Sequence, residues 1–240
     1  MESGSLSRHG EPMIDWDAHI MFRAAWLILL SASLLAPAQE REAPANTPAA
    51  PMAMPSDRAV DSYRIYSSLM PLGETAGPGW PHELWLLGDT TVTIVASNEP
   101  CKYGRSRERD DMNPHNVVHP TDDRRQDFAE ILEDFDQHCH DRVRLRPDAW
   151  SGPVPVRLLN AGEQDRFRKS RSTREPTPEF EGAPALYEFS EVYFNAKHTV
   201  SLVYATHFCG GLCGEGFWVA LALENGEWKR LRWRAPQWIS

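Results

Sequence analysis

"TVSLVYATHFCGGLCGEGFWVALALENGEWK", residues 199–229, decides the fold of this chain. Two runs rich in β-branched and aromatic residues, "TVSLVYATHF" and "GEGFWVALALE", flank a short glycine-rich centre and read as strands joined by a hairpin. Asn225-Gly226 then marks a second, two-residue hairpin into "GEWKRLRWR". On the other side, "ALYEFSEVYFN" reads as a strand that turns through Asn195-Ala196-Lys197. The C-terminal part is therefore predicted to be a four-stranded antiparallel meander. At its centre, Cys209 and Cys213 are spaced C-x3-C, and Gly210, Gly211, Gly214 and Gly216 permit the positive φ of a tight, bulged turn.

The pattern upstream supplies helices. Ala59, Tyr63, Tyr66 and Met70 fall at helical spacing over about 57–70, with Ser56 or Asp57 as the cap. "ELWLLGDTTVTIVAS", residues 83–97, predicts one or two strands broken at Gly88-Asp89, and residues 102–120 read as a polar surface loop. "TDDRRQDFAEILEDFDQHCH" gives a helix capped by Thr121, with Phe128, Ile131, Leu132, Phe135 and Cys139 along one stripe. Cys139 then faces the core, within reach of Cys101. "VPVRLL" reads as a short strand, "AGEQDRFRK" as a short helix and residues 169–184 as a loop. The expectation is an α+β single domain over residues 58–240: the meander, with two main helices packed on one of its faces.

The first residues read as targeting sequence. Arg23, an apolar run from Ala24 to Leu35 and the small-x-small Ala36-Pro37-Ala38 form an export signal, cleaved after Ala38. That run is shorter than the ~20 residues a bilayer span needs. Residues 1–20 are polar and acidic and read as an upstream extension, with translation starting at Met21. Residues 39–57, rich in Ala and Pro, read as a linker. The destination implied is periplasmic or extracellular, with no stable membrane span in the mature chain.

Formal charge is −9 overall. Removing residues 1–38 takes away four acidic residues and two arginines and leaves −7. An acidic balance argues against nucleic-acid binding, which depends on Lys and Arg neutralising phosphates. Four cysteines in an exported chain favour two disulfides, and four allow three connectivities. The pairs read from the pattern are Cys209–Cys213, closing the turn, and Cys101–Cys139. The alternative keeps Cys209 and Cys213 as thiols, for exchange or, with His207 or His198, for Cu(I) or zinc.

Other chemistry is thinly signalled. G-x-S-x-G, H-E-x-x-H, phosphate-binding and dinucleotide-binding signatures are all missing from the sequence, and "HELWL" at His82 lacks a second histidine. His115 with His119, and His138 with His140, are nominal metal ligands in segments read as loop and helix end. In "EWKRLRWR", alternation puts Trp228, Arg230, Arg232 and Arg234 on one strand face, and Lys229, Leu231 and Trp233 on the other. No catalytic residue and no cofactor is implied, and the partner is left open.

The C-terminal half resembles a set of exported bacterial proteins of uncharacterised function. The resemblance rests on the Phe-Asn, Leu-Val-Tyr, Cys-Gly-Gly-Leu-Cys-Gly and Asn-Gly-x-Trp-Lys series and the terminal Trp-Ile-Ser. "DFAEILEDFDQHCHDRVRL" and "VPVRLLN" are similar to their preceding helix and strand. It covers residues 58–240, most specifically 187–240, and implies export and domain limits without assigning catalytic residues.

Overall fold

The computed structural model describes residues 50–70, 83–102, 112–152, 154–173, 177–211, 213–232 and the backbone of 237–239. The segment read as an export signal, most of that read as a linker, His82, Leu212, the side chains of Trp233, Arg234 and Trp238, and the middle of the 102–120 segment lie outside these. Every described residue belongs to one compact unit, Pro44–Ser240.

The elements run β1 (Met52–Ala53), α1 (Ser56–Leu69), β2 (Trp85–Gly88), α2 (Pro114–Val117), α3 (Arg125–His138), β3 (Val143–Arg144), β4 (Val156–Leu159), α4 (Ala161–Thr173), β5 (Leu186–Phe189), β6 (Tyr193–Phe194), β7 (Val200–Gly210), β8 (Cys213–Glu224), β9 (Glu227–Arg230) and β10 (Gln237–Ile239). This is an α+β fold with four helices among the described residues. β1 pairs with β3, so the segment read as linker contributes a strand.

The main sheet has the order β10-β8-β7-β5-β2-β4, with β6 beside β7 and β9 beside β8. The predicted meander forms: β5, β7, β8 and β9 pair antiparallel in turn. Asn225 and Gly226 both take positive φ, 53° and 81°, as the two-residue hairpin requires. The meander does not account for the whole sheet, because β2 pairs parallel with both β5 and β4.

The helices lie on both faces, correcting the single-face expectation. On one face Tyr63, Tyr66 and Leu69 of α1 pack against Leu87, Phe189, Val203, Ala205 and Leu221. On the other, Phe128, Ile131 and Phe135 of α3 pack against Leu202, Tyr204, Trp218 and Ala220, while Phe167 of α4 packs against Leu86, Leu186 and Phe208. The cause is in β7: "VSLVYA" is apolar at consecutive positions, so each face must be covered.

Several local expectations shift. Pro55 precedes α1, and neither Ser56 nor Asp57 caps it. The 102–120 segment is not all loop: Asn113 Oδ1 accepts from His115 N at 3.0 Å and caps the one-turn α2, with Pro114 as its first residue. Met112 and Val118 are buried against α3. α4 starts at a reciprocal capping box of Asn160 and Glu163, with bonds of 3.0 and 2.9 Å, and runs to Thr173, into the segment read as loop.

Candidate functional site

Two places stand out: the β7–β8 tip singled out by sequence and a buried ionic cluster that sequence did not reveal. At the tip, Phe208 pairs with Gly214 and Gly210 with Cys213, so Cys209 is the extra residue of a β-bulge. That bulge turns its sulfur toward Cys213, and the two form a disulfide with Cα atoms 5.1 Å apart. Cys209 Sγ also lies 3.1 Å from the Cys213 carbonyl oxygen. Of the four glycines expected to use positive φ here, Gly210 does, at 152°. A second disulfide joins Cys101 and Cys139, whose Cα atoms are 5.8 Å apart, and the described residues contain no free cysteine.

The tip is braced rather than free-standing. Arg168 of α4 stacks over Phe208, 5.4 Å from its ring centre, and holds Glu188 of β5 at 2.7 Å. Gly211 is exposed at the end.

His207, two residues before Cys209, is 4% exposed and faces the α1 layer, its ring centre 6.0 Å from that of Tyr187. Burial lowers its pKa, partly offset by Glu215, whose Oε1 lies 3.6 Å from His207 Nδ1. Burial also pushes the Tyr187 hydroxyl up to about 12. His198 is at the far end of β7, stacked on Phe194 at 4.6 Å. Eleven strand residues span roughly 35 Å, so His198 and the cysteines cannot share an ion.

The face of the strand that carries Trp228 and Arg230 is covered by α1. Trp228 is buried against α1 and donates its indole N–H to Asp61 Oδ1 at 3.2 Å. Arg230 donates to the Leu69 carbonyl at 2.8 Å, and burial lowers its pKa. Both tie β9 to α1. The histidines are also dispersed: His115 Nε2 pairs with Asp136 at 2.7 Å, while His119 is exposed beyond α2. His140 adjoins the Cys101–Cys139 sulfurs, but those sulfurs are bonded to each other and present no thiolate.

The ionic cluster begins at a break in one strand. Between the pairs Phe189–Ala205 and Tyr193–Leu202, three residues of the β5–β6 strand oppose two of β7. The break is held by Ser190, whose Oγ accepts from Tyr204 N and donates to Glu191 O, and whose carbonyl accepts from Tyr66 Oη at 2.9 Å. This bulge turns Glu191 inward, leaving it 3% exposed.

Around Glu191 gather Arg58 from α1, Asp134 and His138 from α3, and Asp141 just beyond α3. Arg58 grips Asp134 with both terminal nitrogens, at 2.7 and 3.3 Å, and also donates to the Val192 carbonyl. It reaches Glu191 Oε1 only at 3.4 Å, and Glu191 Oε2 is buried with no hydrogen-bond partner. His138 Nδ1 is 2.8 Å from Asp141 Oδ2, and its Nε2 is 3.6 Å from Asp134 Oδ1. Burial pushes the Glu191 carboxyl up to about 7 against the pull of Arg58 and His138, with Asp141 and Asp134 adding to the rise. A carboxyl poised near neutral pH beside a half-exposed histidine is able to hold a proton or a cation.

No protein-family description, curated protein or solved structure matches the chain. Among the described residues no helix is long and apolar enough to cross a membrane.

Proposed function

We propose that this protein is an exported, disulfide-stapled α+β module with a binding or structural role, whose contact point is the tip closed by Cys209 and Cys213. The observation that carries the reading is the pairing of all four cysteines in two disulfides, one of them built into a strand bulge at the end of the longest hairpin. Disulfides persist in oxidising compartments, which fits the signal-like residues 21–38 and the periplasm or cell exterior as the site of action. The resemblance to exported bacterial proteins over residues 187–240 supports the same address. Rigidity suits binding, because a tip already fixed in shape loses little freedom on contact. The rival use of the same residues is thiol exchange, or Cu(I) or zinc binding by the reduced pair.

Fractionation of expressing cells, with N-terminal sequencing and equilibration of the folded chain in glutathione buffers, tests this. The proposal requires the protein outside the cytoplasm, starting at Gln39, with the tip disulfide resisting reduction by a glutathione pool poised near −200 mV. Cytoplasmic retention of the intact chain refutes export. A tip bond that opens and closes reversibly in that buffer replaces the staple with a thiol-exchange function.

A further inference from the structure

We propose that His138, Asp141 and Glu191 form a binding site for a single divalent transition-metal ion of the Zn2+ type, distinct from the cysteine tip. One ligand atom from each residue lies within 4.8 Å of the other two. An imidazole nitrogen with two carboxylate oxygens is a donor set that Zn2+ accepts, at about 2.0–2.2 Å per bond. Tetrahedral placement at those bond lengths puts donor atoms roughly 3.3–3.6 Å apart. The His138–Asp141 pair, hydrogen-bonded at 2.8 Å, must open by about half an ångström while wider separations, at most 4.8 Å, close by about an ångström, and His138 and Asp141, with side chains 31% and 36% exposed, have room to move. Glu191 supplies the fixed floor.

Charge argues the same way. Asp134, Asp141 and Glu191 bring three carboxylates together against Arg58, and Arg58 is committed to Asp134 by two hydrogen bonds. Glu191 Oε2 is left buried without a donor, in a side chain only 3% exposed. An unsatisfied buried carboxylate oxygen is costly. A cation entering between His138 and Asp141 satisfies it and neutralises the excess charge. Asp134, already oriented by Arg58 and by the Phe194 N–H at 2.8 Å, stands behind His138 as an outer partner. Three protein ligands leave a coordination position open to water or to a ligand.

The test uses the untagged, oxidised chain stripped with EDTA, titrated with Zn2+ by calorimetry and checked by elemental analysis. Wild type is expected to hold one Zn2+ per chain. Glu191→Gln, His138→Gln and Asp141→Asn should each weaken binding by more than the roughly tenfold to hundredfold that loss of an outer partner costs. His119→Gln and the Cys209→Ala/Cys213→Ala pair should leave it unchanged, which separates this site from the tip. His138 and Asp141 lie at the surface, so their variants remain informative if Glu191→Gln misfolds by circular dichroism. Absence of stoichiometric Zn2+, binding that survives both His138→Gln and Asp141→Asn, or binding abolished by His119→Gln overturns the site.

Discussion

The two disulfides close loops of very different size, so their removal should cost different amounts. Cys209 and Cys213 are separated by 4 positions and Cys101 and Cys139 by 38. On the chain-entropy relation these correspond to about 2 kcal/mol and about 4 kcal/mol at 25 °C. Cys139 is only 1% exposed, packed beside Phe135 and Ile131, so replacing it by alanine adds a small void to the larger figure. Cys209→Ala/Cys213→Ala and Cys101→Ala/Cys139→Ala are compared with wild type by urea and thermal unfolding at constant pH. At roughly 2–4 °C per kcal/mol, the melting temperature should fall by about 4–8 °C for the tip pair and about 8–16 °C for the other. The ordering matters more than either value. If removing the tip bond costs as much as removing the long one, loop closure does not explain their contributions.

Three further outcomes are expected. Glu191 has its carboxyl raised from 4.5 to about 7, so wild-type stability attributable to this group is fully present below pH 4.5 and lost as pH rises through 7. Glu191→Gln, measured with a chelator present, should therefore be more stable than wild type at pH 8 by up to ~3 kcal/mol, with the gap closing toward pH 4.5; a gap independent of pH contradicts the assignment. Gly226→Ala places a Cβ at φ 81° and should destabilise by about 1 kcal/mol in urea, although a Cβ there meets no neighbour within 4 Å. Phe135→Ala removes a fully buried ring stacked edge-on to Tyr193 and Trp218 and should cost about 3–5 kcal/mol in the same assay.

How much of this was legible follows from the range of each signal. The β7–β8 hairpin, the Asn225-Gly226 turn and the α3 stripe are written in neighbouring residues, and sequence finds them. The parallel β4-β2-β5 pairing is not, because "WLLG" and "VRLL" are short buried runs that specify neither partner nor direction. Coverage of both sheet faces is written in "VSLVYA", which offers no polar side, although the antiparallel pattern invites the reading of one solvated face. Trp228 packs in the core, but its partner is not legible, because Asp61 of α1 lies 167 residues from it. The ionic cluster is the least legible. Arg58, Asp134 and Glu191 are ordinary charged residues until a bulge at Ser190–Val192 turns Glu191 inward. The one local trace is Ser-Glu interrupting the apolar strand "YEFSEVYF".

The central claim, a module stapled by two disulfides, is tested most directly by thiol alkylation and peptide mapping of the folded chain, purified without reductant, before and after reduction. No Lys or Arg lies between Lys197 and Lys229, so trypsin leaves Cys209 and Cys213 in one peptide. Two staples predict no alkylation before reduction, that peptide two hydrogens lighter than its dithiol form, and a separate cross-linked pair holding Cys101 and Cys139. Alkylation of Cys209 and Cys213 without reductant would contradict them.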